Sequence, residues 1–379
     1  MPTTLAETKT RGSETPLLRA HMPELDSVRG LAILMVMLYH GFYWTVDLRR
    51  FAPVERAALT AAWTGRLGVN LFFVLSGFLI TGLLLESKGR KNYYGRFYWR
   101  RALRILPAYY ATLALLAALG TSWAFLGLSF LYLANLTPLF GVLIAYPVLW
   151  SLAVEEHFYF VWPVVVKKLT TRGVLAASGA IVVLSPLVRL WTFYVIGRDS
   201  SWVSYKVFDY TWNAADGLAC GAMVAAWLRE FEPERKRVAQ VAGALAAAAV
   251  TLLAGGIPLG ILNRHQPMGA ALQVVPWQLL FTAALLGALL AGSAGKEWAR
   301  SRWLEFFGRI SYGLYLYHLL VFEGYDWLAE RTGESGANAP TFGELAIRFL
   351  VAGGLAVGIA YLSREYFEER FLRLKGRFG

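Results

Sequence analysis

A single cysteine, Cys220, stands in 379 residues. That excludes an intramolecular disulfide and any cysteine-rich metal site, so no metal is expected. Charge is also scarce: Asp, Glu, Lys and Arg make up 16% of the chain, against roughly 25% in an ordinary soluble domain. Histidine occurs five times, as His21, His40, His157, His265 and His318, so each one inside an apolar run needs a chemical reason. The signatures of soluble enzymes are missing too. There is no phosphate-binding glycine loop, no dinucleotide fingerprint and no zinc-ligand spacing. A cleavable leader is not visible either, because residues 1–24 are polar and the first apolar run, near Val28, lacks a small-residue cleavage site. Those residues read as a flexible cytoplasmic tail.

What the chain has in abundance is apolar surface, with 57% hydrophobic residues and a mean hydropathy of +0.46. A net charge of +12 invites a nucleic-acid reading, but such a binder carries a basic face on a soluble fold. Here the basic residues fall in short clusters between apolar runs, so the expected partner is a lipid bilayer and not nucleic acid. A helical span needs about 20 mostly apolar residues. Ten stretches qualify: 27–46, 66–85, 106–122, 148–167, 173–196, 207–228, 237–255, 273–293, 306–328 and 342–363. The apolar stretch 123–147 is broken by Gly127, Pro138, Gly141 and Pro147 and is expected to form short or re-entrant helices. With the N-terminus inside, most loop Lys and Arg fall on the cytoplasmic side, as the positive-inside rule requires. The expected architecture is therefore all-α and polytopic, with about ten transmembrane helices and both termini cytoplasmic. A tail (1–24) precedes a membrane domain (25–374), and a basic tail (375–379) follows it. No internal repeat is evident, which counts against the repeat-built transporters.

Ionisable groups inside spans are costly and point to function. Arg29 and His40 lie eleven residues apart on the first span, which places them on one face about 16 Å apart along the axis. A snorkelling arginine and a histidine bonded to a nearby carbonyl would give the same pattern. The fourth span opens with Trp150 and Ser151 and carries Glu155, Glu156 and His157. Its carboxylates sit at a depth matching His40, and a carboxylate beside a histidine is what a general base requires. The alternative is that they bond only helix neighbours. His157 points about 200° away from Glu155 at helical spacing, which favours packing. Arg100, Arg101 and Arg104, set among aromatics, suit phosphate oxygens and an adenine ring, or equally anchor the chain to anionic lipid. Asp216 is an intramembrane acid without an evident partner. Asn70, Ser76 and Gly77 suit close helix packing.

Five stretches in order carry a resemblance to a known family: Leu25 to Ala32 continuing to His40, Gly68 to Ile80, Arg100 to Pro107, Trp150 to Tyr159, and Ser311 to His318. From Leu25 to about Leu374 the chain resembles the acyltransferase-3 family of integral membrane O-acyltransferases. The resemblance implies transfer of an acyl group, usually acetyl, from cytoplasmic acyl-CoA to a hydroxyl of an extracytoplasmic acceptor. Acetyl-CoA is then a co-substrate and no cofactor is permanently bound. The family's arginine and histidine, with ten residues between them, fall on Arg29 and His40. It follows that Arg29, Arg100, Arg101 and Arg104 hold the CoA phosphates. His40, supported by Glu155 with Glu156 beside it, is expected to deprotonate the acceptor, with an acyl-histidine intermediate as the alternative. Ser76, Trp150, Ser151, Asp216, Tyr315 and His318 are the expected substrate-binding residues. Where relatives carry an arginine two residues before the acid of the sixth span, this chain has Ala214. Many relatives also carry a C-terminal extracytoplasmic domain that this sequence does not show, so direct transfer or a separate extracytoplasmic transferase is expected. The implied location is the bacterial cytoplasmic membrane. The acceptor is a surface glycan or a small secreted molecule such as a macrolide, and a lipid-linked saccharide transporter is the reading from another class.

Overall fold

The computed structural model describes residues 16–19, 21–42, 48–197, 209–332 and 340–374. The first fifteen residues of the expected tail, the 375–379 tail, and positions 43–46 and 207–208 at the ends of two expected spans lie outside the described residues.

Among the described residues the chain is helical, without strands. Ten helices have 19 or more residues: α1 (Pro23–Phe42), α2 (Gly68–Ser87), α3 (Tyr93–Ala118), α4 (Leu149–Lys168), α5 (Thr171–Thr192), α6 (Thr211–Phe231), α7 (Arg235–Gly256), α8 (Val275–Ser293), α9 (Arg302–Thr332) and α10 (Phe342–Leu362). Each overlaps one of the ten apolar stretches. Six helical segments are long and apolar enough to cross a membrane by length and composition: Pro23–Phe42, Pro53–Ser87, Thr171–Ile196, Arg235–Gly256, Pro267–Ser293 and Phe342–Leu372. The other four long helices are α3, α4, α6 and α9. They carry Arg101 and Arg104, Glu155 and Glu156, Asp216, and Tyr315 with His318. α3 starts well before the expected third span, so the arginine cluster lies on the same helix as that span.

Local chemistry sets several helix starts. Thr341 caps α10 by accepting from the Glu344 amide, and the Glu344 carboxylate returns to the Thr341 amide at 2.7 Å, a reciprocal capping box. Thr170 caps α5 by accepting from the Gly173 amide at 3.1 Å. The 123–147 region forms the short helix Trp123–Phe130 and a 3₁₀ segment, Ala134–Phe140, that stops at Gly141 with φ +66°. Tyr109 donates to the Ser129 carbonyl (2.7 Å) and Tyr146 to the Leu316 carbonyl (2.6 Å), which folds this region back onto α3 and α9.

α1 packs against α9 and α2, α2 against α6, α5 against α6, α7 against α8, and α9 against α10. Small residues permit the closest crossings. A Cβ on Gly77 of α2 would strike the Leu218 carbonyl of α6, and one on Gly221 of α6 would strike the Val74 carbonyl of α2. The segment before α1 departs from the expected free tail. Arg19 pairs with fully buried Glu24 and donates to the Gly292 carbonyl of α8 at 3.2 Å, while Leu17 and Leu18 pack on the apolar core. The end of residues 1–24 is therefore docked.

Candidate active site

Two cavities follow one another along the helices. α1, α2, α4 and α9 contribute to both, and Val69, Phe73 and Tyr315 border both. Arg29, near the start of α1, faces the first cavity. His40, near its end, faces the second.

The first cavity, of about 140 Å³, collects Arg29, Arg101, Arg104 and Glu155 together with Ser76, Ser151 and Tyr312. The Arg29 guanidinium lies 2.5 Å from Asp26. Arg101 stacks 3.1 Å from the Tyr159 ring centroid and stands 3.5 Å from Glu156 and 4.0 Å from Glu155. Ser76 donates to the other Glu155 oxygen at 2.8 Å. A guanidinium fixed between an aromatic face and two carboxylates keeps its orientation, and a neighbouring arginine is then left to meet incoming charge. Arg104 is that neighbour: it makes no ion pair among the described residues and is exposed. Arg100 is not among the side chains lining this cavity.

The second cavity, of about 470 Å³, is bordered by His40, Tyr39, Asn70, Trp150, Asp216, Tyr315 and Glu323, among others. Its chemistry turns on a pair of imidazoles. His318 Nδ1 lies 2.9 Å from the Leu314 carbonyl, and its Nε2 lies 3.1 Å from His40 Nδ1. His40 Nδ1 also reaches the Val36 carbonyl at 3.1 Å. A carbonyl can only accept, so in neutral His318 the proton sits on Nδ1 and Nε2 carries a lone pair. His40 Nδ1 must then carry its proton and donate to that lone pair and to Val36. What remains on His40 is Nε2, an unprotonated nitrogen fit to take a proton or attack a carbonyl.

The expected contact between His40 and Glu155 is not what the structure shows. The two residues border different cavities, and each takes other partners: His318 and Val36 for the histidine, Ser76 and Arg101 for the carboxylate. Phe73 and Tyr315 border both cavities, and Tyr315 is bonded to Ser151 at 2.5 Å. His318, expected to bind substrate, is wholly buried and holds His40. Trp150 packs edge-on to Phe73, ring centroids 5.9 Å apart, on the wall of the second cavity. His157 bonds Thr211 at 2.6 Å, the packing role expected of it.

Two arginines matter that the sequence reading passed over. Arg189, wholly buried on α5, pairs with Asp216 at 2.6 Å, so the acid of α6 has its cation after all, from a different helix than the Ala214 position suggested. Arg348 on α10 bonds both oxygens of Asp326 on α9 (2.6 and 2.8 Å) and donates to the carbonyls of His40 (3.1 Å) and Gly41 (2.6 Å). It thereby satisfies the last carbonyls of α1 directly beneath the histidine. Both arginines lie inside apolar runs, and their being ionisable there was the available signal.

A family model described as "Acyltransferase domain" matches residues 22–364. The chain is similar to the peptidoglycan O-acetyltransferase OatA of Listeria monocytogenes, 28% identical over 345 residues that cover 79% of this chain and 49% of that protein. It is similar to YrhL of Bacillus subtilis, 27% identical over 396 residues, with 94% and 55% covered. It also matches the O-acetyltransferase OatA of Staphylococcus aureus, 23% identical over 332 residues, with 80% and 51% covered. The chain thus spans about half the length of these curated relatives. No solved structure matches it. Since the matched range runs from before α1 through α10 and encloses both cavities, the chain belongs to the acyltransferase-3 family.

Proposed function

We propose that this chain transfers an acetyl group from acetyl-CoA, entering at the cytoplasmic side, to a hydroxyl of a cell-wall glycan at the outer side of a bacterial cytoplasmic membrane. In this reading all ten long helices cross the bilayer and both ends are cytoplasmic. The observation that carries it is the stacking of an arginine-lined cavity and a histidine-bearing cavity that share three wall residues. The relatives named as O-acetyltransferases support acetyl as the group and a glycan as the acceptor.

In this mechanism Arg104, Arg29 and the oriented Arg101 hold the diphosphate of the donor. Glu155 and Glu156 serve as positioning residues that fix Arg101. The donor's extended arm runs along α1, whose Arg29–His40 separation is about 16 Å of helical rise, and brings the thioester to the junction at Tyr315. His40 Nε2 takes the proton of the acceptor hydroxyl as its oxygen attacks the thioester carbonyl. The C–O bond forms, the C–S bond breaks, and the proton passes from His40 to the departing thiolate. His318 holds the ring, and its lone pair stabilises the charged imidazole through the His40 Nδ1 hydrogen. Purified full-length chain, given radiolabelled acetyl-CoA and glycan fragments, is expected to release CoA and label the glycan. A transporter would free no CoA, and that outcome would overturn the proposal.

A further inference from the structure

The mechanism leaves one wall of the second cavity unused. Gln273 and Gln278, 5% and 4% exposed, border it together with half-buried Trp277 and with Asn213 and Asp216 of α6. The Gln273 Nε2 is buried and has no hydrogen-bond partner among the described residues. A buried amide in that state has given up its bonds to water for nothing in the protein, and a ligand acceptor would restore them.

The wall is also rigidly mounted. The Arg189 Nε donates to the Ala271 carbonyl at 3.0 Å, and its Nη1 donates to the Asn213 carbonyl at 2.9 Å and to Asp216 at 2.6 Å. One buried guanidinium therefore ties the chain two residues before Gln273 to α6. The remaining Asp216 oxygen accepts from the Gly217 amide at 3.1 Å. The acid's charge is balanced by Arg189, so this wall presents amides and an indole instead of net charge.

Such a set selects its ligand by chemistry. A carboxamide offers a donor and an acceptor side by side, which matches neighbouring hydroxyls or an acetamido group. An indole face accommodates the C–H side of a sugar ring. A wholly apolar ligand would leave the amides unpaired, and the guanidinium behind this wall, Arg189, is bonded to Asp216. Arg66, Arg264, Asp209 and Glu323 also border the cavity. We propose that Gln273, Trp277 and Gln278 form a saccharide subsite that holds an uncharged sugar ring of the acceptor while His40 acts on one of its hydroxyls. This rests on the reading of the chain as a glycan acetyltransferase and names the part of the acceptor that is recognised.

The test uses the full chain in lipid nanodiscs and calorimetric titration with a β-1,4-linked N-acetylglucosamine tetramer. Gln273→Leu and Gln278→Leu are each expected to weaken binding about tenfold, the size of one lost hydrogen bond. Trp277→Ala should weaken it further than Trp277→Phe. In turnover, the acceptor KM should rise by the same factor while kcat holds. Titration of each variant with acetyl-CoA checks that the first cavity is intact, and Gln273→Glu, which keeps the side-chain volume, serves where a leucine variant fails that check. Unchanged affinity across the glutamine variants, or a wild-type chain that does not bind the tetramer, would overturn the subsite. A chain that binds the tetramer through these residues yet never frees CoA would keep the subsite and remove acetyl transfer. A chain that acetylates with the variants unaffected would do the reverse.

Discussion

The two cavities are built from the same helices but solve different problems. The first is small and charged: its arginines are held by stacking and by paired carboxylates, and one of them, Arg104, borders the cavity without an ion pair among the described residues. The second is larger and mixes charged groups of both signs, Arg66, Arg264, Asp209, Asp216 and Glu323, with imidazole, amide and indole; Asp216 is paired from behind by Arg189. An arginine cluster at one end and a wider set of amide, indole and imidazole groups at the other is the division expected when a phosphorylated donor and a hydroxylated acceptor approach from opposite sides. Within low-dielectric surroundings a fixed guanidinium attracts phosphate strongly, whereas neutral groups discriminate shape and hydroxyl pattern. The contrast can be tested because each cavity should respond to its own perturbation.

The largest effect should come from His40→Ala, which removes the only group assigned to move the proton. A loss of about a thousandfold in kcat is expected, with acetyl-CoA binding retained, measured by radiolabel transfer and by donor titration. A variant that kept most of its activity would separate the second cavity from the chemistry. Next is Asp216→Leu, which leaves Arg189 buried without its counter-ion. Removing one member of such a pair costs about 3–5 kcal/mol, readable as a lowered unfolding midpoint in detergent. The double variant Asp216→Leu with Arg189→Met should recover much of that loss. An undiminished midpoint in the single variant would mean that the pair does not hold α5 to α6.

Smaller and confined to the other cavity is Arg104→Met. It should raise the acetyl-CoA KM about tenfold, the usual size of a lost charge-assisted hydrogen bond, and leave the acceptor KM alone. A rise in the acceptor KM instead would place the donor elsewhere. The weakest effect is that of salt. Raising ionic strength from roughly 0.1 M to 1 M shortens the screening length from about 10 Å to about 3 Å. The donor KM should climb severalfold while the acceptor KM changes little. Equal responses would erase the distinction between the cavities.

Much of the scaffold could be read without coordinates because the bilayer imposes one simple rule, about 20 apolar residues per crossing. Long helices α1 to α10 each fall on an apolar stretch. The rule is weakest where chemistry is placed: α3, α4, α6 and α9 carry the polar site residues, and they fall short of the apolar character expected of a span. The same polarity that made these helices weaker as spans marked Arg101, Arg104, Glu155, Asp216 and His318 as candidates.

By itself the sequence determined the helical membrane architecture, the family, and the residue types at each end of α1, because those follow from composition and from spacing along one helix. Partners across helices were decided only by tertiary packing. Gly30 and Gly308 bring α1 and α9 close enough for His318, and not Glu155, to meet His40. Ser76 and Arg101 claim the carboxylate. Arg189 reaches Asp216 from a helix whose register no spacing along α6 could reveal. Helical period fixes which face a side chain occupies, but the approach of a second helix fixes what it touches.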